Sequence, residues 1–121
     1  MLLIASFGAF TVAALFGVML AVQLFNKRKW VNPGHVLAHL WFVVLGTVPV
    51  IIAAVQGDIR VYANIGLVVV IAVLGFLMHR KRIKTGELPK RLFIAHAGLA
   101  VTCYILLGML AFNLPVPGIN S

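Results

Sequence analysis

Four long runs of apolar residues follow one another along this chain, from Leu2 to Phe25, Gly34 to Gln56, Arg60 to His79 and Pro89 to Asn113. Each has about the 20 residues that a helix needs to cross a hydrocarbon core about 30 Å thick. Only short connections lie between them, around Asn26 to Pro33, Gly57 and Asp58, and Arg80 to Leu88, and short connections join antiparallel neighbours. The expected fold is therefore all-α, a polytopic membrane protein built as a four-transmembrane-helix up-down bundle. Composition agrees: 63% of the 121 residues are hydrophobic and 10% charged, with mean hydropathy +1.12, against about 45–50% apolar and about 25% charged in soluble domains. With four spans accounted for, residues 1–121 read as a single transmembrane domain.

Ten basic residues oppose two acidic ones. A balance of that kind also marks nucleic-acid binding, but position excludes it here. Lys27, Arg28 and Lys29 lie between the first two runs, and Arg80, Lys81, Arg82, Lys84, Lys90 and Arg91 between the last two; only Arg60 lies between the second and third. Basic loops stay on the cytoplasmic side, so both termini are expected on the outer side. A bacterial inner membrane is the natural location. The first run carries its basic residues after the apolar part, the reverse of a cleavable secretory signal, and is read as a retained span.

Local signals place the helix starts at Asn32-Pro33 and at Pro89 as a first-turn proline. Pro49 is expected to kink the second helix, with Gly46 and Thr47 adapting to it. Leu114 to Ser121, with two prolines, is expected to be a non-helical outer extension. Trp30 and Tyr62 read as interfacial anchors, and Trp41 as packing or lipid contact. The first helix carries small residues at every fourth position, Ala5, Ala9, Ala13, Gly17 and Ala21. Such a ridge permits close helix approach, either inside the bundle or against another membrane subunit or a second copy.

Residues able to support hydrolysis are missing: there is no Ser-His-Asp arrangement, phosphate-cradling glycine loop or carboxylate pair. The broken helices and mid-membrane polar groups of a transporter are missing too. Thr102, Cys103 and Tyr104 are the main polar group at mid-membrane, read as hydroxyls bonded back to the helix and a thiol packing as a small hydrophobe. With a single cysteine, neither an intrachain disulfide nor a cysteine-based metal motif exists. Gln56, Asp58, Arg60, Asn64 and Asn113 fall on the outer surface, where loop capping explains them as well as ligand binding does.

Four histidines remain, and ionisable groups inside spans are costly enough to need a reason. At about 1.5 Å per residue, His39 lies about 7 Å past Gly34 and His96 about 10 Å past Pro89, at similar depth. With neighbouring helices about 8–10 Å apart, the second and fourth helices would sit about 11–14 Å apart on the diagonal of the bundle. That distance suits two imidazoles on opposite sides of a haem iron. Ala95, Ala97, Gly98 and Ala100 around His96 leave room, as does the face running from His39 through Phe42, Gly46 and Ala53. Neutral imidazoles serve as axial ligands of b-type haem.

The chain resembles the small four-helix membrane b-type cytochromes, including the cytochrome b subunits of quinone-linked oxidoreductases. The resemblance rests on His39 in Gly34-His35-Val36-Leu37-Ala38-His39 and His96 in Ala95-His96-Ala97-Gly98-Leu99-Ala100, within a four-span frame covering nearly the whole chain. It implies a redox protein with His39 and His96 as axial ligands of haem b, and quinone as a possible partner. Such proteins commonly hold two haems, one near each face; the outer halves of the spans here have no histidine, so one haem is expected, near the cytoplasmic face. His35, four residues from His39, is expected to bond a haem propionate or to replace His39 as ligand, and His79 beside Arg80 to meet propionates or a quinone head group. Solvated interfacial histidines are the simpler reading of both.

One inner haem does not span a core about 30 Å thick, so a place in a larger respiratory or photosynthetic assembly follows. The alternatives are histidines acting as polar glue between helices, a non-haem site of His35, His39, His79 and His96, and a cofactor-free structural or assembly subunit whose basic loops bind anionic membrane lipid.

Overall fold

The computed structural model describes residues 1–26 and 31–118. The basic cluster Lys27 to Lys29 and the proposed anchor Trp30 lie outside the described residues. Among those described, the secondary structure is helical with no strand: α1 (Leu2–Phe25), α2 (Pro33–Val55), a 3-10 turn (Ile59–Val61), α3 (Tyr62–Thr85) and α4 (Lys90–Ala111). All four α-helices are long and apolar enough to cross a membrane. Fewer than one in five residues of each apolar window are buried, and the exposed side chains include Leu15, Trp41, Val69, Phe76 and Ile94. A surface of this kind is stable only against lipid.

The chain divides into two compact units, Met1–Asp58 and Ile59–Ser121, each an antiparallel helical hairpin. In the first, α2 begins where the Asn32 side chain accepts the Gly34 N–H at 2.8 Å, with Pro33 at the first helical position, where a missing N–H costs nothing. Pro49 lies inside α2. Two residues before it, Thr47 bonds back to the Val43 carbonyl at 2.7 Å. Close to it, the buried Ser6 hydroxyl of α1 donates to the Gly46 carbonyl at 2.5 Å. Gly46 is required there, because a Cβ would stand 2.9 Å from the Phe10 ring. Interhelical bonds of this kind average about 0.6 kcal/mol in lipid and reach about 1.7. Ser6→Ala should cost about that much in thermal unfolding of the detergent-solubilised protein, with no change in helix content.

The second hairpin is pinned by Asn64, whose amide nitrogen donates to the Cys103 carbonyl at 3.0 Å. This corrects the expectation that Asn64 lies on the outer surface: it is buried, alongside Val61, Leu107 and Leu110. The cause is the 3-10 turn, which delays the α3 start to Tyr62 and puts Asn64 in its first turn on the side of α4. α3 also runs further than its apolar pattern, so that Arg80 to Thr85 are helical rather than loop. Arginine and lysine are good helix formers, and Arg82 and Lys84 in the last turn complement the negative end of the helix dipole. Gly86, with φ 72°, closes the helix by donating to the Arg82 carbonyl. Pro89 is the cap of α4 rather than its first residue.

The C-terminal ends of α2 and α4 are closed alike. Gly57 donates to Ala54 and Asp58 to Ala53, while Asn113 donates to Leu110 and Leu114 to Met109, with Gly57 and Asn113 both at positive φ. These are paired C-terminal caps that use a left-handed residue to satisfy the last carbonyls. Asn113 thus has a capping role. Residues 112–118 are non-helical, in line with the expected non-helical extension over its described part.

Candidate functional site

His39 sits on α2 with Nδ1 2.7 Å from the Ala13 carbonyl oxygen of α1. A carbonyl only accepts, so Nδ1 carries the proton and the lone pair of the neutral ring is on Nε2. His96 on α4 does the same on α3, its Nδ1 standing 2.9 Å from the Ile71 carbonyl oxygen. One turn beyond each acceptor is a glycine. A Cβ on Gly17 would lie 3.2 Å from His39 Cε1, and one on Gly75 would lie 3.0 Å from His96 Cε1. Each imidazole therefore rests on bare backbone, its Nδ1 bonded to a carbonyl of the facing helix and its ring pressed against a glycine.

The two seats are copies. On the first helix of each hairpin the partners are displaced by 58 residues: Ser6 to Asn64, Ala13 to Ile71, Gly17 to Gly75. On the second helix the displacement is 57, His39 to His96 and Gly46 to Cys103. The contacts correspond as well, Ser6 to Gly46 with Asn64 to Cys103, and His39 to Ala13 with His96 to Ile71. Gly8 and Gly66, Ala14 and Ala72, Ala38 and Ala95, Val44 and Val101, and Ala54 and Ala111 are identical at the same displacements. The one-residue difference falls in the connection between the helices, where it disturbs no helical register. Both histidines come seven residues after the cap, Asn32 or Pro89, which is about 10 Å of helix. Sequence reasoning missed this tandem repeat; Gly17 with His39 and Gly75 with His96, at matching separations, were its signal.

His35 has the opposite chemistry. The Asn32 N–H donates to Gln23 Oε1 at 3.1 Å, which fixes the Gln23 amide and aims its Nε2 at His35 Nδ1, 2.6 Å away. His35 Nδ1 therefore accepts, and its Nε2 bears the proton. A ring in that state is a donor rather than a metal ligand. His79 and Arg80 are exposed on α3, with the Arg80 guanidinium 5.9 Å from the Phe76 ring centre.

Of the two expectations about free space, the one at His39 changes. The face from His39 through Phe42, Gly46 and Ala53 is filled by α1: Gly46 meets Phe10, Phe42 stacks on Phe16 at 6.1 Å, and Ala53 is buried. Beside His96, Gly98 does have open space where a Cβ would go. Within the small-residue ridge, Ala13 and Gly17 are taken up by the His39 seat, while Ala5 is exposed. Trp41 and Tyr62 are exposed, the former in the lipid-facing sense. Thr102 bonds back to the Gly98 carbonyl and Cys103 is buried, both as expected. Among the described residues no three His, Cys, Asp or Glu side chains come together as a metal cluster.

Helix length and hydropathy together make the chain a multi-pass helical membrane protein. Compared with protein family models, curated proteins and solved structures, it matches none.

Proposed function

We propose that the chain is a membrane electron-transfer protein that holds one b-type haem near the cytoplasmic face, with His39 and His96 as its axial ligands, and exchanges electrons with quinone or a partner redox subunit. The observation that carries this reading is the shared tautomer: both rings donate Nδ1–H to a backbone carbonyl, leaving the lone pair on Nε2. Histidines that bind metal almost always place their other N–H in this way, which fixes ring orientation and raises ligand basicity. Haem would supply one-electron chemistry there. The protein's part is to orient the two rings, each through its Nδ1–H bond to a backbone carbonyl of the facing helix. His79 and Arg80, exposed at the inner end of α3, have the positions and charge to meet the propionates.

In this reading the protein resides in a bacterial inner membrane with both termini outside. It works within a larger assembly, meeting anionic lipid through the basic end of α3 and other subunits, or a second copy, through Ala5, Ala9 and Ala21.

A second reading is favoured by the same hydrogen bonds: a cofactor-free structural subunit in which His39 and His96 join helices. Ser6 and Asn64 already do that in each hairpin with smaller groups, so imidazole is not needed for it. The test is the absorbance of the full chain purified from haem-replete cells. The haem reading requires a Soret band and a sharp α-band on reduction with dithionite; their absence leaves the structural reading.

A further inference from the structure

The first helices of the two hairpins correspond in position but not in charge. At the displacement of 58 residues that relates them, Leu15, Met19, Val22, Gln23 and Asn26 match Val73, Leu77, Arg80, Lys81 and Lys84. Val22, Gln23 and Asn26 are neutral, and α1 forms and closes with them. The three cations at the same places on α3 are thus not a requirement of the hairpin. Membrane orientation does not account for them either, since it counts basic residues without regard to helix face. The helix dipole acts only within the last turn, and Arg80 lies before the turn that holds Arg82 and Lys84.

Spacings of three and four residues put Val73, Leu77, Arg80, Lys81 and Lys84 on one face of α3. All five side chains are exposed in the hairpin. The face is therefore an apolar strip that ends in three cations, with the Arg80 guanidinium beside the Phe76 ring. Arg80 follows the exposed Tyr62 by 18 residues, about 27 Å of helix, close to the thickness of a hydrocarbon core of about 30 Å. With Tyr62 anchored at one interface, Arg80 and the cations after it stand at the other, among the lipid phosphates.

We propose that this face of α3 binds one anionic phospholipid, with an acyl chain along Val73 and Leu77 and the phosphate held by Arg80, Lys81 and Lys84. A guanidinium makes paired hydrogen bonds to a phosphate, and the two ammonium groups add point charges. Net charge selects the lipid class. Glu87 is the sole acidic residue of the second hairpin and lies past the end of α3, so the face gives the cationic head of a zwitterionic lipid no counter-charge. The proposal rests on the membrane placement in the functional reading and gives residues to its lipid contact; haem has no part in it.

The test uses the full chain freed of lipid in detergent and titrated with dioleoyl phosphatidylglycerol or dioleoyl phosphatidylcholine, with bound lipid counted by native mass spectrometry. The parent should bind one phosphatidylglycerol about tenfold more tightly than phosphatidylcholine, as expected of charges that attract anionic head groups. Arg80→Val combined with Lys84→Asn, the residues that α1 carries at these places, should keep its helix content by circular dichroism and bind the two lipids alike. Lys90→Gln combined with Arg91→Gln removes the same charge from α4 and should leave the preference intact. Equal loss in both double variants overturns the proposal, because any basic residue would then serve. So does a parent that binds the two lipids equally. Retained preference in the Arg80 and Lys84 variant, with loss of the Soret band, also overturns it and makes Arg80 a propionate partner. Absence of haem from every sample bears on the haem reading alone.

Discussion

His39→Ala and His96→Ala are each expected to reduce bound haem to baseline, read as loss of the Soret and reduced α-bands in protein that still inserts and purifies. Each hairpin offers one imidazole with its lone pair on Nε2, and a substitute is not at hand. In the first hairpin His35 has Nδ1 committed to Gln23 and a proton on Nε2; in the second, His79 is exposed on α3 and has no seat of the kind that holds His96. His35→Ala and His79→Ala should retain the bands. Loss of haem in the His35 variant with retention in the His39 variant would reverse the ligand assignment. Because an empty seat leaves a carbonyl whose intrahelical bond is intact, the alanine variants should unfold thermally within about 2 kcal/mol of the parent, the upper range for one interhelical bond in lipid.

The second large effect is expected at the glycines beneath the rings. A methyl group at position 75 would stand 3.0 Å from His96 Cε1, and one at position 17 would stand 3.2 Å from His39 Cε1. Neither ring can retreat without stretching its tether to Ile71 or Ala13. Overpacking of this kind costs about 1–3 kcal/mol. Gly75→Ala should therefore destabilise by about that much and weaken haem retention, with Gly17→Ala milder and Gly75→Val more severe. Gly66→Ala is the control: it lies in the same helix with nothing near its added Cβ, and should gain about 0.5–1 kcal/mol from reduced backbone entropy. Thermal unfolding and haem content measured together on the four variants check the order. Equal behaviour of Gly66→Ala and Gly75→Ala would show that the close approach of His96 carries no weight.

The spans were legible because lipid imposes a simple length rule, and α1 begins and ends where its apolar run does. The C-terminal end of α3 was not, because a charge-based boundary takes Arg80 for the start of a loop, whereas helix propensity and the Gly86 cap continue the helix through it. Asn64 was misplaced because its side is set by the 3-10 turn just before it, a feature that hydropathy does not register. His39 and His96 could be picked out as intramembrane imidazoles, but their tautomers depend on carbonyls of the opposite helix. Only the folded hairpin reveals that His35, a turn away from His39, is a donor. The repeat was hidden by its chemistry: Ser6 and Asn64, or Gly46 and Cys103, share a task without sharing a side chain.

A unit with two crossings can be doubled without being turned over. Copying a single span, or three, would send the second copy through the membrane in the opposite sense and carry its histidine to the far surface. Here each copy has two helices of spanning length, an even number, and the imidazole falls on the second helix of each. A duplication of that kind leaves the two copies free to diverge. Gln23 and His35 on one copy, and Asn64 and Cys103 on the other, are differences that a pair of identical chains encoded by one gene could not have acquired.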